Sequence, residues 1–160
     1  MITGTNVHFL EQIENLSGCT ELKVLDLSEN SISNIESIRH VVYIPQLRVL
    51  DLSSNKLNGE YQALLEILAQ CSHLEVLSLK GNPITKTMAD YRKLVVSKCS
   101  ELKSLDGREI CSEERRRCNA WGSVIASGGS KHEAKEADRL ELIKIGAEKS
   151  EKNAKRRRDA

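Results

Sequence analysis

One string recurs through the first two-thirds of this 160-residue chain. Leu22-x-x-Leu25-x-Leu27-x-x-Asn30-x-Ile32-x-x-Ile35 returns as Leu47-x-x-Leu50-x-Leu52-x-x-Asn55-x-Leu57. It returns again as Leu74-x-x-Leu77-x-Leu79-x-x-Asn82-x-Ile84, so the asparagines lie 25 and 27 residues apart. A partial copy follows at Leu102-x-x-Leu105, and an earlier tail, Leu10-x-x-Ile13-x-x-Leu16, matches Ile32, Ile35 and Ile38. Alternation puts Leu25 and Leu27 on one side of a short strand and Asp26 on the other. One such unit cannot bury its own leucines, so the copies must stack, strand beside parallel strand, around a continuous aliphatic core. The composition agrees: only Phe9, Tyr43, Tyr61, Tyr91 and Trp121 are aromatic.

This phasing is the leucine-rich-repeat signature. The fold it predicts is an α/β solenoid with short parallel strands on the concave face, helices or turns on the convex face, and a C-terminal helical extension. Asn30, Asn55 and Asn82 fall where the chain leaves the strand, and their amides are expected to form a structural ladder satisfying backbone groups of neighbouring turns. The segment Tyr61–Gln70 contains uninterrupted helix formers and places Leu64, Leu65 and Leu68 on one face. Segment 36–43 predicts only a turn or two of helix, and a further helix is expected near 85–98, carrying Tyr91, Leu94 and Val95. Cys19, Cys71 and Cys99 precede the opening leucines by three residues, where the remaining copy has Ile44, which reads as one apolar slot.

The residues between the buried leucines form the concave face. They are Val24, Asp26 and Ser28, then Val49, Asp51 and Ser53, then Val76, Ser78 and Lys80. Such faces bind proteins in many repeat arrays. The alternative is an unused face, with binding on the convex side or through the tail. By register, Thr3 and Thr5 take the strand slots of Leu25 and Leu27, which reads as an array continued before residue 1 or covered there by a partner.

The formal net charge of +1 averages two unlike parts. Residues 1–110 carry −3 and residues 111–160 carry +4. We divide the chain into repeats with a C-terminal cap (1–110), a cap-extension helix (111–127) and a charged helix with a basic tail (130–160). Ser112-Glu-Glu reads as an N-capped helix start. The helix carries Trp121, which either packs on the last repeat or anchors a partner. Ser130-x-x-Glu133 is a capping-box pattern opening a helix to about residue 150. Its apolar residues, Ala134, Ala137, Leu140, Ile143 and Ala147, make a narrow stripe that reads either as a partner-packing face or as part of a solvated helix. Lys155-Arg-Arg-Arg158 reads as an import signal or acidic-surface contact, or as charges complementing a helix C-terminus.

Several function classes are excluded or demoted. No run approaches 18 apolar residues, and the N-terminus lacks a basic-then-apolar leader. With an odd cysteine count, this favours a reduced, cytoplasmic compartment. Near-neutral charge argues against direct nucleic-acid binding. The chain has no G-x-S-x-G, phosphate-binding Gly loop or H-E-x-x-H motif, and His8, His40, His73 and His132 do not cluster in the register. No enzyme activity, cofactor, metal or small-molecule substrate is expected.

The run Asn82-Pro83-Ile84, Tyr91-Arg92, Leu102-Lys-Ser-Leu105-Asp106-Gly107-Arg108 resembles the C-terminal cap of the 22-residue intracellular repeat class. That cap is shared by the spliceosomal A-prime protein and axonemal dynein light chain 1. Three further segments are more selective: Leu105-Asp-Gly-Arg-Glu-Ile110, Glu114-Arg-Arg-Arg-Cys-Asn-Ala-Trp121, and Gly128-Gly129 with Glu133-Ala-Lys-Glu-Ala-Asp-Arg139. Together they resemble the dynein axonemal assembly factor 1 family. The resemblance implies a non-enzymatic factor of the cytoplasm and cilium or flagellum, with dynein chains or chaperones as protein partners. A structural axonemal component, or a ribonucleoprotein adaptor of the A-prime type in the nucleus, is the alternative.

Overall fold

The computed structural model describes residues 19–158, which fall into two compact units divided between Ile110 and Cys111. The expectations for Thr3, Thr5 and the Leu10–Leu16 tail lie outside the described residues.

In the first unit, strands β1 (Val24–Asp26), β2 (Val49–Asp51) and β3 (Val76–Ser78) run parallel in chain order, and β4 (Ser104–Leu105) joins them in parallel. The register matches the repeat: Leu25, Leu50, Leu77 and Leu105 are ladder partners, as are Val24, Val49, Val76 and Ser104. Leu25, Leu50, Leu77 and Leu105 are buried, and so are Leu27, Leu52 and Leu79 and the row Leu22, Leu47, Leu74 and Leu102. Each buried leucine contributes about 2 kcal/mol of transfer free energy. The chain leaves each strand through a left-handed residue, Glu29, Ser54 or Gly81, immediately before the ladder asparagine. Only the last of these is glycine, and a Cβ there would sit 3.2 Å from the Ser54 backbone nitrogen.

The convex side varies with local sequence. Ile35–Tyr43, rich in β-branched residues, forms a 3-10 helix that buries Ile35, Ile38 and Val41. Asn34 caps it, its side chain accepting the Glu36 N–H at 3.0 Å. Helix α1 (Tyr61–Gln70) buries Leu64, Leu65, Ile67 and Leu68. The helix expected near 85–98 is two pieces, α2 (Pro83–Thr87) and α3 (Tyr91–Lys98), with Asp90 left-handed between them. The Thr85 and Thr87 hydroxyls donate to the Asn82 and Ile84 carbonyls, competing with a continuing ladder, and Met88 turns inward as the C-cap. The shared apolar slot is closed only at Ile44 and Cys99; Cys19 and Cys71 are half-buried. Burial still pushes the Cys71 thiol up to about 11.

The array ends in a reversal. Asp106 and Gly107 both have positive φ, the pattern of a tight type I′ turn, and β5 (Arg108–Glu109) returns antiparallel to β4. Arg92 of α3 ties this hairpin down by donating to the Leu105 carbonyl at 3.2 Å and the Glu109 carbonyl at 3.0 Å.

The second unit is a helical hairpin of α4 (Ser112–Ala126) and α5 (Lys131–Arg158). The α4 cap is Cys111 rather than Ser112, its sulfur accepting the Glu114 N–H at 3.5 Å. Ser130 and Glu133 form the capping box: the Glu133 carboxylate accepts the Ser130 N–H at 2.7 Å, and Ser130 Oγ accepts the Glu133 N–H at 3.2 Å. Helix α5 does not stop near residue 150; it runs through the basic tetrad to Arg158. The side packed on α4 is not centred on the apolar stripe. Ala134, Asp138 and Ile145 are buried, while Leu140 and Ile143 are exposed. The reason is electrostatic, because α4 presents Arg116 and Arg117. Arg117 forms a two-bond pair with Asp138 (2.6 and 3.2 Å), and Arg116 pairs with Glu141 and Glu148 at 2.7 Å. Lys149 closes the far end on Glu113 at 2.6 Å.

Candidate protein-binding face

The parallel register sets the nine concave-face residues in three rows across β1, β2 and β3. The valine row is open to solvent, with Val24 at 38% and Val76 at 36% exposure and Val49 half-buried. Beside it lie Asp26 and Asp51, which are ladder partners, then Ser78. Ser28 and Ser53 form the third row with exposed Lys80. The carboxylates are held locally. Asp26 Oδ1 accepts the Ser28 N–H at 2.9 Å and its hydroxyl at 2.7 Å; Asp51 Oδ1 accepts the Ser53 N–H at 2.8 Å. No ion pair to either carboxylate occurs among the described residues. Adjacent parallel strands are about 4.8 Å apart, so these two like charges face each other across one ladder step, which is unfavourable. The face thus joins an apolar strip to an uncompensated acidic strip.

A further row was not singled out in the sequence. Glu75, one residue before Val76, bridges Arg48 of the preceding repeat at 2.5 Å and Lys103 of the following one at 3.0 Å. The Lys103 hydrogen bond, with help from Arg48, holds the Glu75 carboxyl below its ordinary range. The signal was present in the register, since Arg48, Glu75 and Lys103 occupy one repeat position with alternating charge.

Asn55 and Asn82 are buried behind this face. Asn55 Nδ2 donates to the Leu27 carbonyl of the previous repeat at 2.8 Å and the Leu52 carbonyl of its own at 3.0 Å, and Oδ1 accepts the Ile32 N–H at 3.1 Å. Asn82 does the same with Leu52, Leu79 and Leu57. Asn30 is half-buried and donates to Leu27 and Ser28. In the last repeat Asp106 takes over part of this work. Its Oδ1 accepts the N–H groups of Leu79 (2.8 Å) and Lys80 (3.0 Å), and Oδ2 accepts the Tyr91 hydroxyl at 3.0 Å. Burial first, and the Asp106 charge second, push the Tyr91 phenol well above its ordinary pKa.

Trp121 is 2% exposed. The reading of it as an exposed partner anchor therefore does not hold; the ring is part of the packing. It remains the sole tryptophan, which makes it a reporter of the helical unit.

The hairpin's charges also set a pH response. Arg116 hydrogen bonding holds Glu148 below the ordinary carboxylate value of 4.5, and the Ser130 backbone and hydroxyl do the same for Glu133. Folded values lie below unfolded ones, so their stabilisation is complete above pH 4.5 and is lost as pH falls through the folded values. Acid titration should loosen the hairpin, reported by Trp121 emission, and the transition should weaken in high salt.

Among the described residues, no group of His, Cys, Asp and Glu gathers to hold a metal ion, and no helix is long and apolar enough to cross a membrane. What the first unit offers is a stack of in-register strands, an asparagine ladder behind them and an open face in front. The chain belongs to the leucine-rich repeat family, which matches residues 9–136. It is 32% identical over 153 residues to dynein axonemal assembly factor 1 of Rattus norvegicus, covering 91% of this chain and 20% of the relative. It is 33% identical to leucine-rich repeat-containing protein ODA7 of Chlamydomonas reinhardtii, covering 90% of this chain and 26% of that one. The chain thus spans about a quarter or less of the curated relatives it matches. Among solved structures, the Mex67 LRR domain from Chaetomium thermophilum is 28% identical with a TM-score of 0.52, covering 64% of this chain and 68% of that chain. The Drosophila melanogaster SNF/U2A′ complex includes a chain 24% identical with a TM-score of 0.55, covering 76% of this chain and 85% of that chain, a likeness of fold.

Proposed function

We propose that this chain is a non-enzymatic protein-binding scaffold that serves axonemal dynein assembly in the cytoplasm of ciliated or flagellated cells. The observation that carries the binding reading is the concave face, where the Val24, Val49 and Val76 row adjoins the uncompensated Asp26 and Asp51 carboxylates. Exposed apolar area next to unbalanced charge suits a client that brings basic side chains, whose aliphatic stems cover the valines while their heads reach the carboxylates. The dynein assignment is supported by the names of the relatives from rat and Chlamydomonas.

Two measurements test it. Fractionation of flagellated cells should place the chain in the soluble cytoplasm; retention in detergent-extracted axonemes would make it a structural component instead. Co-purified RNA in the nucleus would favour a ribonucleoprotein adaptor. The paired substitution Val49→Gln and Asp51→Lys should reduce recovery of dynein chains roughly tenfold, the size expected for losing a central contact, while the melting temperature stays near its original value. Unchanged recovery would refute the concave face as the binding surface.

A further inference from the structure

Helix α5 has a second face that the hairpin does not use. The α4 contacts fall on Asp138, Glu141 and Glu148, with Ala134 and Ile145 buried on the same side. On the opposite side Leu140 is 50% and Ile143 is 56% exposed. At 100° per residue they align with Ala147, Ser150 and Ala154, giving spacings of three, four, three and four residues. That alternation is the a/d spacing of a heptad over two heptads, apolar except at Ser150. Ala147 and Ala154 would let a second helix approach closely.

The seam's borders select its occupant. Arg139 and Lys144 flank Leu140 and Ile143, each in a long, exposed contact with a carboxylate of its own helix (Glu136 at 3.3 Å, Glu141 at 3.6 Å), and Lys155, Arg157 and Arg158 follow Ala154, against Glu133, Glu136 and Glu151 on this side. A second copy of this helix would bring like charges together, which disfavours self-pairing. A lipid surface fits poorly, because residues 131–158 contain no Phe, Tyr or Trp and only three large exposed aliphatics, Leu140, Leu142 and Ile143.

We infer that the outer face of α5, centred on Leu140 and Ile143, pairs with an amphipathic helix of a partner protein whose flanking positions are acidic. This surface lies on the helical unit and stands independently of the concave-face reading.

The test uses the whole chain and two labelled peptides of about three heptads, both with Leu at a and d. One carries Glu at e and g, the other Lys. Fluorescence anisotropy should show the Glu peptide binding about tenfold more tightly than the Lys peptide, as expected for charge-matched flanks. Replacing Leu140→Gln with Ile143→Gln should weaken the Glu peptide about tenfold, with helix content and Trp121 emission unchanged. Glu148→Gln, on the α4 side, should leave peptide binding as it was. Equal affinity for the two peptides, or insensitivity to the double substitution, overturns the inference. So does dimerisation of the chain by sedimentation that the same substitutions abolish, which makes the occupant a second copy. Binding to phosphatidylserine vesicles lost in the double variant overturns it in favour of a lipid surface.

Discussion

Replacing Asn82 with Ala should destabilise the repeat unit by about 3 kcal/mol, because it strands the buried Leu57 N–H and removes one of the two donors from each of the Leu52 and Leu79 carbonyls. The side chain is fully buried, and it satisfies the Leu52 and Leu79 carbonyls and the Leu57 N–H. Alanine keeps only the backbone N–H on the Leu79 carbonyl, Asn55 still serves the Leu52 carbonyl, and the Leu57 N–H is left without an acceptor in the interior. Asn55→Ala should cost a similar amount, since it serves two neighbouring turns in the same way. Asn30→Ala should cost less, about 1 kcal/mol, because the site is half-buried and water can reach part of what the amide leaves behind. Urea unfolding followed by far-UV circular dichroism ranks the three. An unchanged midpoint for Asn82→Ala would show that the ladder is geometric decoration and the leucine layers hold the stack alone.

The second large effect is expected in the helical hairpin. Arg117→Met should loosen it by about 2 kcal/mol, between the cost of losing an exposed ion pair and that of breaking a buried one, since only the Asp138 end is buried. Asp138 is 6% exposed and would lose the guanidinium that holds it with two hydrogen bonds. The converse change is milder. Asp138→Asn leaves Arg117 with 37% of its side chain in solvent, where water can hydrate it, so the cost should be about 1 kcal/mol. Trp121 fluorescence reads the hairpin separately, as no other tryptophan is present. Equal losses for the two substitutions would mean that both charges are equally solvated, contrary to the geometry.

The contrast between the units explains what the sequence made legible. In the array, the leucine spacing was sufficient to place the strands, their parallel order and the residues of the concave face, because a repeat supplies several readings of one local rule. Where a segment occurs once, the reading was weaker. Thr85 and Thr87 look tolerable in a helix near 85–98, and only their bonds to Asn82 and Ile84 show why the helix breaks. In α5, the apolar stripe did not indicate which side packs on α4: Asp138 is inside and Ile143 is outside. Hydrophobic periodicity cannot find a face chosen by charge pairing across two helices, when Arg116 and Arg117 lie more than twenty residues upstream of their partners. Trp121 failed for a related reason: a lone aromatic in a polar helix reads equally well as an anchor or as core. Asp106 was visible as part of a turn, but its three bonds, to the Leu79 and Lys80 N–H groups just after β3 and to Tyr91 of α3, join segments 15 to 27 residues apart in sequence.

The antiparallel return of β5 has a consequence for how such a molecule can change size. A stack of parallel repeats is a one-dimensional polymer, and each added unit needs a free strand edge of matching direction. At the C-terminal side of the sheet that edge is occupied by a strand running the wrong way, locked by Arg92. Duplication of a repeat could be accommodated anywhere before β4 but not after it. The hairpin therefore acts as a chain terminator, giving the array a polarity of growth as well as a boundary.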